Sequence, residues 1–139
     1  MGFFYDSYNY NKLRQLLLDP FKSGAASVAT ACFDHRADQV IKQTENVSST
    51  AVLLLDGIFL HRDELQNDWD FSIFLDVPFA VSYRRMAIRD HCNPDPSAPE
   101  NRRYYEGQRI YLRNCTPAQR ASVVIGNARP DMWNAARPV

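Results

Sequence analysis

The sequence predicts an α/β domain built on a parallel sheet covered on both faces. Short, almost wholly apolar runs, "AVLLLD" at 51–56, "FSIFLDV" at 71–77 and "ASVVIGN" at 121–127, read as buried strands. Segments with helical spacing lie between them, the alternation that parallel sheets require. Asp56, Asp76 and Asn127 stand at the carboxyl ends of those runs, where ligands gather on such sheets.

The elements follow in order. Asn9 or Asn11 caps a helix bearing Leu13, Leu16 and Leu17 on one stripe, stopped by Asp19-Pro20. "SGAAS" is a loop, and "SVATACF" is a short strand entering Asp34-His35-Arg36. Residues 38–50 are polar and read as a loop. The strand at 51–56 precedes a short helix near Arg62 to Asn67. Pro78 begins a helix carrying Phe79, Ser82, Met86 and Arg89 at helical spacing. "NPDPSAPENRR" is a Pro-rich polar loop of the kind that forms lids. Ser97 with Glu100 offers a capping box for a helix running to about Cys115. Thr116-Pro117 starts one more short helical turn. The domain is expected over 1–127 with its lid near 90–103, and the tail 128–139 is expected to fray.

At 139 residues the chain is the size of one domain. Sixteen basic residues balance sixteen acidic ones, so wholesale nucleic-acid binding has no electrostatic footprint. No apolar run is long enough for a membrane span. The first residues lack a basic start and an apolar core, so no secretory signal is read. Three cysteines without CxxC spacing suggest neither a disulfide framework nor zinc, and a cytoplasmic location fits best. His35, His61 and His91 lie far apart and read as structural or exposed. Arginines crowd the stretch from Arg84 to Arg120. They form either a solvated face or an anion site, since arginine clamps phosphate oxygens in a forked geometry.

A carboxylate at the mouth of an apolar strand, as at Asp56, suits a magnesium ion beside a phosphate. That chemistry needs a phosphate cradle of the form GxxxxGK[ST]. None is present: before Lys22-Ser23, the glycine positions hold Phe21 and Leu16.

The stretch from Asp6 to about Asn127 resembles the uridine kinase family of P-loop nucleoside kinases. "YDSYNYNKLRQLLLDP", "ACFDHRAD", "VLLLDGIFL", "WDFSIFLDVPFAV", "RRMAIRD", "NRRYYEGQRIYL" and "ASVVIGN" carry the resemblance, in the family's order and spacing. It implies a three-layer parallel-sheet P-loop NTPase fold, nucleoside-kinase-like and N-terminally truncated. The first strand, the Walker A loop, its helix and the second strand with the catalytic aspartate do not appear.

The resemblance assigns roles to single residues. Asp56 matches the acid that helps to hold magnesium. Asp6, in "DSYN", matches an aspartate that hydrogen-bonds the ribose; the alternative is the catalytic aspartate, but the distance to Phe33-Asp34 favours the ribose role. Phe33, Asp34 and His35 occupy the base-binding strand end. Phe33 lacks the hydroxyl of the family's tyrosine, and Asp38 replaces a histidine, which puts uridine itself in question. Arg85 and Arg89, one turn apart, match arginines that meet the phosphates at the lid. Arg102 and Arg103 lie in the lid's return helix, with surface solvation as the competing reading. Tyr104, Tyr111 and Leu112 read as helix packing.

The implied reaction is in-line transfer of the γ-phosphoryl of ATP or GTP to a nucleoside 5′-hydroxyl with Mg2+. Without base or triphosphate cradle, the chain is expected not to turn over alone. The alternatives are a kinase-derived pseudoenzyme acting as a binding or regulatory module, and a phosphoribulokinase-like or pantothenate-kinase-like enzyme with another acceptor. The implied partner is a small-molecule acceptor. In the family the missing first strand lies between "AVLLLD" and "FSIFLD", so the chain alone is expected to be unstable or to aggregate, unless it closes the gap or pairs with another chain, such as a homo-oligomer.

Overall fold

The computed structural model describes residues 2–34 and 37–129, and the backbone of 134–138. It divides into two compact units, Tyr8–Ile58 and a second one made of Met1–Ser7 with Phe59–Val139.

In the 8–58 unit, Asn9 is the cap. Its side-chain oxygen accepts from the Lys12 amide at 3.0 Å and starts α2 (Tyr10–Leu13). α1 (Gly2–Tyr5) belongs to the other unit. The helix does not stop at Asp19-Pro20. A π-helical turn over Arg14–Leu18 leads into α3 (Asp19–Lys22), with Pro20 in its first turn. Pro20 has no amide to donate and needs none there, so a reset of the ladder lets the chain continue. Leu17, Leu18 and Val28 are buried.

The expected strand at "SVATACF" is β1 (Ser27–Asp34). It pairs antiparallel with β2 (Gln39–Asn46), where a loop was expected. The misreading has a physical cause: a two-stranded antiparallel sheet can face water, so β2 carries lysine, glutamine and glutamate and shows no apolar run. The expected strand at 51–56 is absent. Residues 51–57 have no regular structure, and Val52 and Leu54 are each 91% exposed. A strand buried on both faces exists only through its neighbours, and none pairs with this segment among the described residues.

In the other unit, β3 (Ile73–Asp76) and β4 (Val123–Gly126) pair in parallel, Ile73 beside Val123 and Asp76 beside Gly126. β5 (Asn134–Pro138) adds antiparallel to β4 in the tail that was expected to fray. The helix expected near 62–67 is a chain of turns instead: Arg62 N to Phe59 O, Leu65 N to Arg62 O and Asp68 N to Leu65 O. α4 (Phe79–Asp90) starts after Pro78 as expected and ends on His91 in the left-handed region. The Ser97–Glu100 box does not form. Ser97 turns back to the Asp95 carboxylate, and a 3-10 turn (Pro99–Asn101) opens α5 (Arg102–Cys115). α6 (Pro117–Arg120) follows.

The core of this unit is Phe4, Phe59, Ile110, Tyr111 and Cys115, with Phe3 and Phe74 against it. Phe59 meets Phe3 and Phe4 edge-on at 5.3 Å and Tyr111 at 5.2 Å. α5 approaches Phe3 through Gly107, where a Cβ would lie 2.7 Å from the Phe3 ring. Among the described residues, two small sheets, one of two strands and one of three, stand where a full three-layer sheet was expected.

Candidate functional site

The residues that sequence reasoning assigned to phosphate lie on α4 and α5. Helical spacing puts Arg85 and Arg89 on one face of α4. Both are engaged. The Arg85 guanidinium donates to the Ala128 carbonyl at 3.1 Å. Arg89 holds the neighbouring Asp90 carboxylate through two bonds of 2.7 Å. That fork lowers the Asp90 carboxyl below its ordinary range and raises Arg89 further. Arg102 and Arg103 are exposed in the first turn of α5. Arg103 sits over the rings of Tyr104, at 5.1 Å, and Phe3, at 5.9 Å. The loop before them is tied down rather than loose. Asn101, 3% exposed, donates its side-chain amide to the carbonyls of Asn93, at 2.9 Å, and Asp95, at 2.8 Å.

The residues assigned to the acceptor are placed less tightly. Asp6 is exposed after α1, its amide bonded to the Gly2 carbonyl at 2.7 Å. Phe33 is 39% exposed near the end of β1. Asp34 accepts from the Ala37 amide at 3.2 Å, a turn contact that also closes the β1–β2 hairpin. His35 lies outside the described residues. Asp56 is exposed on the irregular 51–57 segment and ends no strand. Among the described residues, no group of three or more His, Cys, Asp and Glu is placed to hold a metal ion. Magnesium binds through one or two carboxylates and the substrate phosphates. Asp56 alone, without a phosphate cradle, does not make that site.

An open groove of about 520 Å³ is lined by Phe79, Glu106, Arg109, Ile110, Leu112 and Arg113. It contains none of the expected site residues. No described helix is long and apolar enough to cross a membrane.

The most enclosed polar cluster went unread in the sequence. His61 and Arg62 are each 7% exposed, in the stretch where a short helix was expected and His61 was read as structural or exposed. The His61 amide and Nδ1 both lie within bonding distance of the Tyr111 hydroxyl, at 3.2 and 3.1 Å. Arg120 donates to the His61 carbonyl at 3.0 Å and to the Asp63 carboxylate. Burial, with the Arg120 charge, holds His61 below its ordinary value. Arg62 donates to the Phe4 carbonyl, pairs with Glu64 and lies 4.4 Å over the Phe4 ring. This constellation ties α1, the 59–68 turns and α5 together. Its bonds run to backbone carbonyls and to the aromatic core, as structural bonds do.

The arrangement defines a class no finer than an α/β chain with small sheets. No family model matches the chain, and no curated protein does. Among solved structures it is similar to a possible uridine kinase from Bacillus stearothermophilus, at a TM-score of 0.62 and 24% identity, over 87% of this chain and 56% of that one. The chain thus spans little more than half the length of the structure it resembles.

Proposed function

We propose that the chain carries the acceptor and lid portion of a uridine-kinase-like phosphotransferase and does not transfer phosphate by itself. The fold likeness to part of a possible uridine kinase supports the reading. In it, Arg85, Arg89, Arg102 and Arg103 serve the phosphates. Asp6, Phe33, Asp34 and His35 serve a nucleoside or similar small acceptor, and magnesium is left without a site, since Asp56 alone does not make one. The donor would be ATP or GTP. Phosphoryl transfer depends on positioning and electrostatic stabilisation, and the sequence holds no GxxxxGK[ST] to supply either at the triphosphate.

A second reading, a kinase-derived binding module, is favoured by one observation. Arg85 commits one N–H donor to the Ala128 carbonyl and Arg89 two to the Asp90 carboxylate, so a phosphate would meet guanidinium groups that already hold other partners. Calorimetry with uridine, cytidine and ATP, run beside a phosphate-transfer assay on the same sample, tests the proposal. Nucleoside binding without turnover is the expected result. Turnover overturns the claim of inactivity, and silence toward every ligand removes the acceptor role.

A further inference from the structure

We propose that the outer edge of β3 is a self-association surface, where two copies of this chain join through their β3 strands in antiparallel register. The argument uses the strand alone and needs no assignment of activity.

Within its sheet β3 is an edge, bonded to β4 on one side only. The direction of each backbone group follows from the ladder. Val123 N donates to Ser72 O at 3.1 Å, and Asn127 N donates to Asp76 O at 2.9 Å. Backbone groups in a strand alternate sides with every residue. Residues 72, 74 and 76 therefore serve β4, while the amides and carbonyls of Ile73 and Leu75 point to the open edge. No described strand takes them. The side chains divide in the same way. Phe74 packs against the aromatic core, whereas Phe71, Ile73 and Leu75 are 63%, 51% and 52% exposed. An edge of this kind, apolar and without lysine or proline inside it, is a template for another strand.

The occupant is a second copy because the edge is complementary to itself when antiparallel. Antiparallel pairing that sets Ile73 of one copy against Leu75 of the other joins edge-facing groups only, and satisfies both residues in both copies. It places the exposed side chains next to each other, Ile73 of one copy beside Leu75 of the other, on the face opposite to Phe74. Asp76 then faces Ser72, so no like charges oppose each other within the paired strands. A slip by one residue opposes edge-facing groups to groups already bonded to β4. Setting Ile73 against Ile73 puts Asp70 against Asp76, a pair of like charges. The chain's net charge is zero, so no general repulsion keeps two copies apart. The contact is isologous and uses up each edge, so assembly stops at two.

Sedimentation equilibrium of the full chain over a range of concentrations, beside Leu75→Pro and Ile73→Lys, tests the proposal. Proline at 75 removes an edge-facing amide and leaves the bonds to β4 in place. Lysine at 73 places a charge on the shared face and covers the case in which the proline variant fails to fold, judged by near-UV circular dichroism. The expected result is a reversible dimer whose dissociation constant rises about tenfold or more in the lysine variant. A monomer at every concentration overturns the proposal. So does a dimer equally tight in Ile73→Lys, which would place the interface elsewhere, or open-ended growth beyond two copies.

Discussion

The two units of the chain solve the burial problem to different degrees. The unit containing α5 gathers Phe3, Phe4, Phe59, Phe74, Ile110 and Tyr111 into one cluster, secures it with polar contacts from His61 and Arg62, and ties its 93–95 loop down through Asn101. The unit over residues 8–58 buries Leu17, Leu18 and Val28, while Val40, Val52 and Leu54 stay open to water. Apolar burial is the main source of folding free energy, so the first unit is the stable one. The difference teaches that apolar sequence does not by itself make a core. "AVLLL" is greasier than most of α5, yet it lies exposed for want of neighbouring strands.

The sharpest way to break this contrast is Phe59→Ala. Truncating a phenylalanine that is 2% exposed and meets aromatic rings on several sides costs about 3–5 kcal/mol. Hydrogen exchange should lose its protection in α5 and keep it in the β1–β2 hairpin. Simultaneous loss in both would show one cooperative structure in place of two units. Leu18→Ala is the counterpart in the 8–58 unit. Leu18 is 2% exposed, and its truncation costs about 2–5 kcal/mol. Set against a thinner core, that loss should abolish exchange protection across β1 and β2 and leave α5 as it was.

Asn101→Ala acts at the loop that was expected to behave as a lid. It removes an amide donating to two carbonyls and leaves those acceptors short of a partner, at about 1–3 kcal/mol. Chemical denaturation should report that loss for the α5 unit, with proteolysis appearing between residues 91 and 100. An unchanged midpoint would mean that the loop is held by other contacts.

What could be read from the sequence follows from how local each feature is. α4 announces itself by period and by its proline start, α5 by period, and β3 and β4 by their apolar runs, and each appears within the expected stretch. β2 escaped because an exposed hairpin strand has the composition of a loop. The 51–56 run misled for the opposite reason: it has the composition of a central strand without the partners that would make it one. The arginines fell on the helices assigned to them, but no pattern in the sequence shows that Asp90 and the Ala128 carbonyl would engage Arg89 and Arg85. Nor could "LHRDEL" reveal its burial. The Tyr111 hydroxyl that meets His61 lies fifty residues away, a contact created by the fold and invisible to spacing.

The smallest effect near neutral pH, and the most selective, belongs to that same histidine. His61 is buried beside Arg120, so its folded value lies below the ordinary 6.5. A group depressed by folding binds more protons when unfolded. Its share of the stability is therefore complete above the ordinary value and disappears as the pH falls through the lower folded one. The α5 unit should lose stability from about pH 6.5 downward, before its carboxylates titrate. The 8–58 unit contains one histidine, His35, and no tryptophan, so thermal melts followed in each unit separately, by indole fluorescence and by exchange in β1, can tell the two apart. His61→Gln should flatten the slope between pH 6.5 and 5 in the α5 unit alone. A slope that persists unchanged in this variant would assign the acid sensitivity to other groups and leave the polar cluster without a part in it.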